Sequence, residues 1–169
     1  AYKLAQNYVK RFREMKEKNQ GLLLYGPVGT GKSFTAACIA NALMEQNITV
    51  IMTSFVKILQ DIGTGDEASY IQILNSASLL IIDDLGAERN TDYALEKVYN
   101  VIDSRIRTDK PMILTTNLEL SEMLQTTDIR YRRVYDRIFE TCYPVEMPGK
   151  SFRQIEAAQR FNDMKELLQ

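Results

Sequence analysis

Residues 26–33 read GPVGTGKS, and positions 83 and 84 are both aspartate at the end of the apolar run SLLII. In the first segment glycines 26, 29 and 31 let the backbone turn tightly and aim successive N–H groups inward, and the helical pattern that follows, SFTAACIANALMEQ, adds its positive end. Together they suit a chain of phosphates. Lys32 brings a point charge for the β and γ phosphates of a nucleoside triphosphate, and the Ser33 hydroxyl is a ligand for Mg²⁺. The expected nucleotide contacts are Gly26, Pro27, Val28, Gly29, Thr30, Gly31, Lys32, Ser33 and Phe34. In the second segment Asp83 is expected to orient Mg²⁺ through water, and Asp84 to polarise the attacking water. Glutamate is the more usual residue for that last task. Asp84 is shorter by one methylene, a departure that bears on turnover more than on binding.

A third candidate stands at the end of PMILTTN. If this run is a strand lying between those that carry the phosphate loop and Asp83, Asn117 at its tip reaches the γ-phosphate and the attacking water. Thr115 and Thr116 are weaker candidates, and an Asn there can also simply cap the next helix. The chain has no histidine, which excludes His general bases and His-ligated metals. Its net charge of −1 gives no global field for a polyanion, so any nucleic-acid contact must come from a local patch. Cys38 and Cys142 are far apart in apolar surroundings and are expected to be packing thiols of a reducing compartment rather than a disulfide. No apolar run approaches the roughly 18 residues of a membrane span, so a cytoplasmic protein without membrane association is expected.

The elements that position these residues are also readable. Five short apolar runs, GLLLYG, ITVIMTS, SLLIIDD, PMILTTN and CYPVEM, alternate with helix-like segments over 32–45, 54–62, 67–76, 91–108 and 129–140. Continuous apolar runs, as opposed to alternating ones, are what strands covered on both faces require, so the pattern is an α/β domain with a parallel sheet. A basic amphipathic helix is expected over 2–18, and a closing helix from Ser151 to Gln169 with Phe152, Ile155, Ala158, Phe161, Met164 and Leu168 at steps of three and four. The length suits one domain over 1–169, divided into an N-terminal helix (1–20), an α/β core (21–148) and a C-terminal helix (149–169).

GPVGTGKS, LLIIDDLGAE, ILTTN, RRVYDRI and GKSFR, in this order, resemble the AAA+ ATPase domain of bacterial and phage helicase loaders of the DnaC/DnaI type, with IstB-type transposition helpers sharing nearly the same pattern. The resemblance runs from about Gly21 to Arg153. It implies a P-loop NTPase three-layer sandwich with sheet order 5-1-4-3-2, and ATP and Mg²⁺ as cofactors. It also implies an oligomer that places a hexameric DnaB-type replicative helicase on single-stranded DNA. By the same resemblance Asn117 is the first sensor, and Arg137 is the arginine finger that reaches a neighbouring subunit's γ-phosphate, with Arg130, Arg132 and Arg133 close enough to compete. Arg153 is the second sensor. The segment from Phe55 to Ser76 falls where this clade carries an extra helical element that tracks DNA; here it offers Phe55, Lys57 and Tyr70, although Phe55, Ile58, Leu59 and Ile62 also read as a core-facing stripe. The N-terminal helicase-binding region of full-length loaders is expected to be absent from this chain, which reads as an excised ATPase domain in preference to a minimal protein.

Three rival functions share the loop. An IstB-like helper would take a transposase as partner. A nucleotide-gated adaptor would hydrolyse little, and a small-molecule kinase would need an acceptor pocket and an arginine-bearing lid.

Overall fold

The computed structural model describes residues 2–87 and 91–168. Five parallel strands, β1 (Gly21–Tyr25), β2 (Val50–Ser54), β3 (Leu79–Leu85), β4 (Met112–Thr116) and β5 (Cys142–Glu146), form one sheet in the order β2-β3-β4-β1-β5. Read from the other edge this is the 5-1-4-3-2 order expected above. The central strands β1, β3 and β4 are buried along most of their length because their side chains alternate between two covered faces, whereas the edge strands β2 and β5 are only partly buried. In β3, Leu80 and Ile82 enter one core with Leu23, Leu114 and Ile102, whereas Leu79 and Ile81 enter the other with Leu22, Leu24 and Ile39.

The first core is roofed by α4 (Phe55–Thr64), α5 (Glu67–Ser76), α6 (Asp92–Arg107), α7 (Leu120–Gln125) and α8 (Ile129–Thr141). The second is roofed by α1 (Tyr2–Lys10), α2 (Phe12–Glu17) and α3 (Lys32–Met44). Helix starts are marked by side-chain oxygens that accept otherwise unpaired N–H groups: Ser54 from Lys57, Asp66 from Ser69, Thr91 from Ala94, and Ser151 from Gln154 at the head of α9 (Phe152–Leu167).

Several expectations change in detail. The helix expected over 2–18 is interrupted at Arg11, though the Arg11 N–H still donates to Asn7 O and the Met15 N–H to Arg11 O. The short α7, opened by a reciprocal Glu119–Glu122 capping box, lies in a stretch where no helix was expected. Cys38 is exposed, since Ala36, Ile39, Ala40 and Leu43 form the inner face of α3, whereas Cys142 is a buried thiol as expected. Burial pushes the Cys142 thiol up to about 12.

The closing helix forms but does not close. Phe152, Ile155, Phe161, Met164 and Leu168 are all exposed. Consecutive steps of three residues each rotate the next side chain back by about 60°, so this apolar set winds around the helix and presents no single face to a core.

Arg105 locks the end of the sheet opposite the site. Fully buried, it donates to the carbonyls of Ala77 (3.0 Å), Ser78 (3.2 Å) and Pro111 (2.8 Å), tying together the segments that lead into β3 and β4. Burial pulls its guanidinium down to about 10.

Candidate functional site

At the carboxyl ends of β1, β3 and β4 the chain encloses a cavity of about 660 Å³. That size suits a small-molecule ligand. The phosphate loop forms one wall, with Val28, Gly29, Gly31, Lys32, Ser33 and Phe34 lining it. Gly31 sits in the left-handed region (φ 90°) as the N-cap of α3, and no side chain caps that end. Since the first turn of any helix leaves N–H groups unpaired, and α3 has no acidic residue there, the cavity faces a run of backbone donors and the positive end of the helix.

Lys32 is buried, and its Nζ donates to Gly26 O (2.7 Å) and Pro27 O (2.6 Å), which leaves a third N–H for an anion. Burial holds its ammonium below the usual lysine range, against the pull of Asp84 and Asp83. Thr30 braces the same turn by donating from Oγ1 to Pro27 O (3.0 Å). Gly26, Pro27 and Thr30 thus shape the loop and hold its lysine, while the remaining loop residues line the cavity.

Opposite the loop stand Asp83, Asp84 and Asn117, and the head of α9 contributes Phe152, Arg153 and Glu156. Arg153 is placed there by a main-chain link, the Phe152 N–H donating to Gly29 O at 3.0 Å. A serine hydroxyl and an aspartate lining one cavity, Ser33 and Asp83, are the donor chemistry a magnesium ion takes when phosphates and water complete its shell. The set therefore fits the expected metal without a cluster of three acids, and there is none among the described residues.

Asp84 has φ 57°, in the left-handed region that Asp tolerates better than most residues. Phe152 and Glu156 were not anticipated as cavity residues. The run of two threonines in MILTT was a signal: both are fully buried, and a buried hydroxyl needs partners.

The other expected residues lie elsewhere. Arg137 does not line the cavity; on α8 it pairs with Asp103 (3.1 Å) and Glu140 (2.9 Å) of its own chain, and the Glu140 bond, with Tyr99 and Asp103 beside it, raises its pKa further. Of its neighbours, Arg130 pairs with Asp128 and Asp92, and Arg133 lies over the Tyr99 ring. Phe55, expected as a stacking residue for DNA, is fully buried in the core beneath α4 and offers no face to a base. Lys57 and Tyr70 both bond Asp61, at 2.7 and 2.9 Å, and of the pair only Lys57 is exposed.

Comparison with known proteins agrees with this geometry. The family model for the IstB-like ATP-binding protein matches residues 2–160. The replicative helicase loader DnaI of Bacillus subtilis is 26% identical over 162 residues, covering 87% of this chain and 51% of the relative. A Mycobacterium tuberculosis protein named for ATP binding and for its insertion sequence is 27% identical over 143 residues, covering 81% of this chain and 57% of the relative. The chain therefore spans about half the length of the curated relatives it matches. A crystal structure of DnaI superposes with a TM-score of 0.73 at 24% identity, covering 89% of this chain and 81% of that one, which shows that the two share a fold.

Proposed function

This chain belongs to the IstB-like ATP-binding proteins, and on that footing we propose that it binds and hydrolyses ATP with Mg²⁺ as one subunit of an assembly that places a hexameric DnaB-type helicase on single-stranded DNA. The observation that carries this reading is the convergence in one cavity of the phosphate loop, both aspartates, Asn117 and Arg153. The loop and helix donors bind the phosphates, and Lys32 and Arg153 offset their charge. Ser33 and Asp83 are the residues that would hold Mg²⁺, which when bound neutralises charge on the β and γ phosphates. Asp84 orients water, and Asn117 reads the terminal phosphate. Arg137, on a different face, acts on a neighbour's nucleotide, so hydrolysis depends on assembly, and leaving Asp103 and Glu140 is part of that step. ATP is then a switch more than a fuel, because losing the terminal phosphate relaxes the subunit interface.

The likeness to DnaI, named a replicative helicase loader, supports the helicase as partner. The insertion-sequence relative supports a second reading, in which the same ATPase serves a transposase. Co-purification of the native gene product with helicase or with transposase separates the two. Among the described residues no helix is long and apolar enough to cross a membrane.

The nucleotide step is tested by titrating a fluorescent ATP analogue with Mg²⁺ and by phosphate release with and without single-stranded DNA. Lys32→Ala should abolish uptake. Arg137→Ala should bind within about twofold of the parent yet lose DNA-stimulated hydrolysis by roughly 10³-fold. Normal hydrolysis by Arg137→Ala removes the finger assignment, and well-folded parent protein that takes up no analogue removes the whole reading.

A further inference from the structure

We infer that Thr115 is the positioning residue for both aspartates of this site, through the carboxylate of Asp83 and the backbone of Asp84, an assignment that rests on the ATP-binding reading above. The inference comes from a break in strand register. Ile82 lies opposite Leu114 and Leu85 opposite Thr116, so Asp83 and Asp84 together face Thr115 alone. This is a β-bulge, a device that re-aims side chains beside active sites and leaves a ladder group without its regular backbone partner.

The Thr115 side chain supplies the missing partner. Its Oγ1 accepts the Asp84 N–H at 3.0 Å and donates its own proton to Asp83 Oδ1. One hydroxyl thus does two things. It holds Asp84 at its positive φ, and it fixes the rotation of the Asp83 carboxylate by occupying one lone-pair direction of Oδ1. The next residue, Thr116, closes the bulge from the far side, donating to Leu85 O (2.8 Å) and accepting the Leu118 N–H (3.1 Å), but makes no hydrogen bond to either acid.

Thr115 is fully buried, at 0% exposure, in a strand whose other residues include Met112, Ile113 and Leu114. Valine would fill the same shape without a polar group to satisfy. The hydroxyl is therefore there for the bonds it makes, and both run to the acids. Because it acts on the Mg²⁺-holding carboxylate and not on the phosphate loop, its contribution is to the metal-dependent part of nucleotide binding.

The test compares the affinity of a fluorescent ATP analogue with and without Mg²⁺ for the parent, Thr115→Val and Thr115→Ser. The parent should bind more tightly when Mg²⁺ is present. Thr115→Val should keep its Mg²⁺-free affinity within about twofold but lose roughly tenfold or more of the gain, the scale of one hydrogen bond to a charged group. Thr115→Ser, which keeps the hydroxyl, should regain most of it. Should Thr115→Val fail to fold, Thr115→Cys, a weak donor of similar size, takes its place.

A full Mg²⁺ gain in Thr115→Val overturns the assignment, as does a Thr115→Ser protein impaired equally with it, since shape and not the hydroxyl would then matter. A parent protein that binds the analogue without any Mg²⁺ gain also overturns it. If the parent binds no analogue at all, the ATP reading itself fails and this assignment falls with it, a result distinct from a loss confined to the metal-dependent gain.

Discussion

Adding a single methyl group at Gly29 should uncouple the phosphate loop from the C-terminal helix. Gly29 has φ 83°, and a Cβ built there would stand 2.1 Å from Ser151 Oγ, 2.8 Å from Ser151 Cβ and 3.2 Å from Ser151 Cα. Two costs follow for Gly29→Ala. The left-handed backbone alone costs an L-residue about 1–2 kcal/mol, a factor of roughly 5–30. The clash adds to this, because rotating the serine hydroxyl away leaves Cβ still too close. Ser151 must retreat, which breaks the 3.0 Å bond from the Phe152 N–H to Gly29 O and withdraws Arg153 from the cavity. The affinity of Gly29→Ala for a fluorescent ATP analogue should therefore fall by roughly 30-fold or more. Ser151→Gly alone should stay close to the parent, since Gly replaces Ser at an N-cap for a few tenths of a kcal/mol. The double variant should recover to the backbone cost, about 5–30-fold below the parent. Thermal melts followed by circular dichroism distinguish lost affinity from lost fold. A double variant that binds no better than Gly29→Ala, or a Gly29→Ala protein that binds normally, refutes the reasoning.

Two further outcomes follow from burial. Arg105→Met strips three carbonyls of their donor at the far end of the sheet and should lower the free energy of unfolding in urea by about 3 kcal/mol or more, with nucleotide affinity of the surviving folded protein nearly unchanged; a change below about 1 kcal/mol removes Arg105 as a structural tie. The two thiols should separate cleanly at pH 8: Cys38 is exposed and should react with a chromogenic disulfide in the native protein. Cys142 is buried, with its thiol pushed up to about 12, and should react only after unfolding in guanidinium. Rapid reaction of both in the native protein would place β5 in a looser environment than the fold describes.

The parts of this molecule that could be read from the chain are those whose chemistry is contiguous. The loop from Gly26 to Ser33 carries its strand, its turns and its helix within one stretch, and β3 announces itself because Leu79, Leu80, Ile81 and Ile82 must satisfy two cores at once. The sheet order was not in any single run; it came through resemblance, and the strand pairing bears it out. Spacing misled where it was read as a face. The steps of three in the last helix wind its apolar residues around the axis, so Phe152 ends 61% exposed, lining the cavity instead of packing in a core. Phe55 shows the converse: resemblance offered it to DNA, but the stripe it forms with Ile58, Leu59 and Ile62 read as core-facing, and on α4 it is core at 0% exposure.

Register was the least legible property, because it belongs to two strands at once. That Thr115 faces two aspartates and not one depends on a slip between β3 and β4, which neither IIDDL nor ILTTN contains by itself. The same slip accounts for the positive φ of Asp84, and for why two consecutive threonines are tolerated in a fully buried strand: each hydroxyl takes up backbone groups that the bulge withdraws from the ladder. Asn117 follows immediately after the strand and lines the cavity, so the tip of β4 both bonds the acids and faces the space in front of them. A shift of β4 by a fraction of a residue would therefore move Asn117 and both aspartates together.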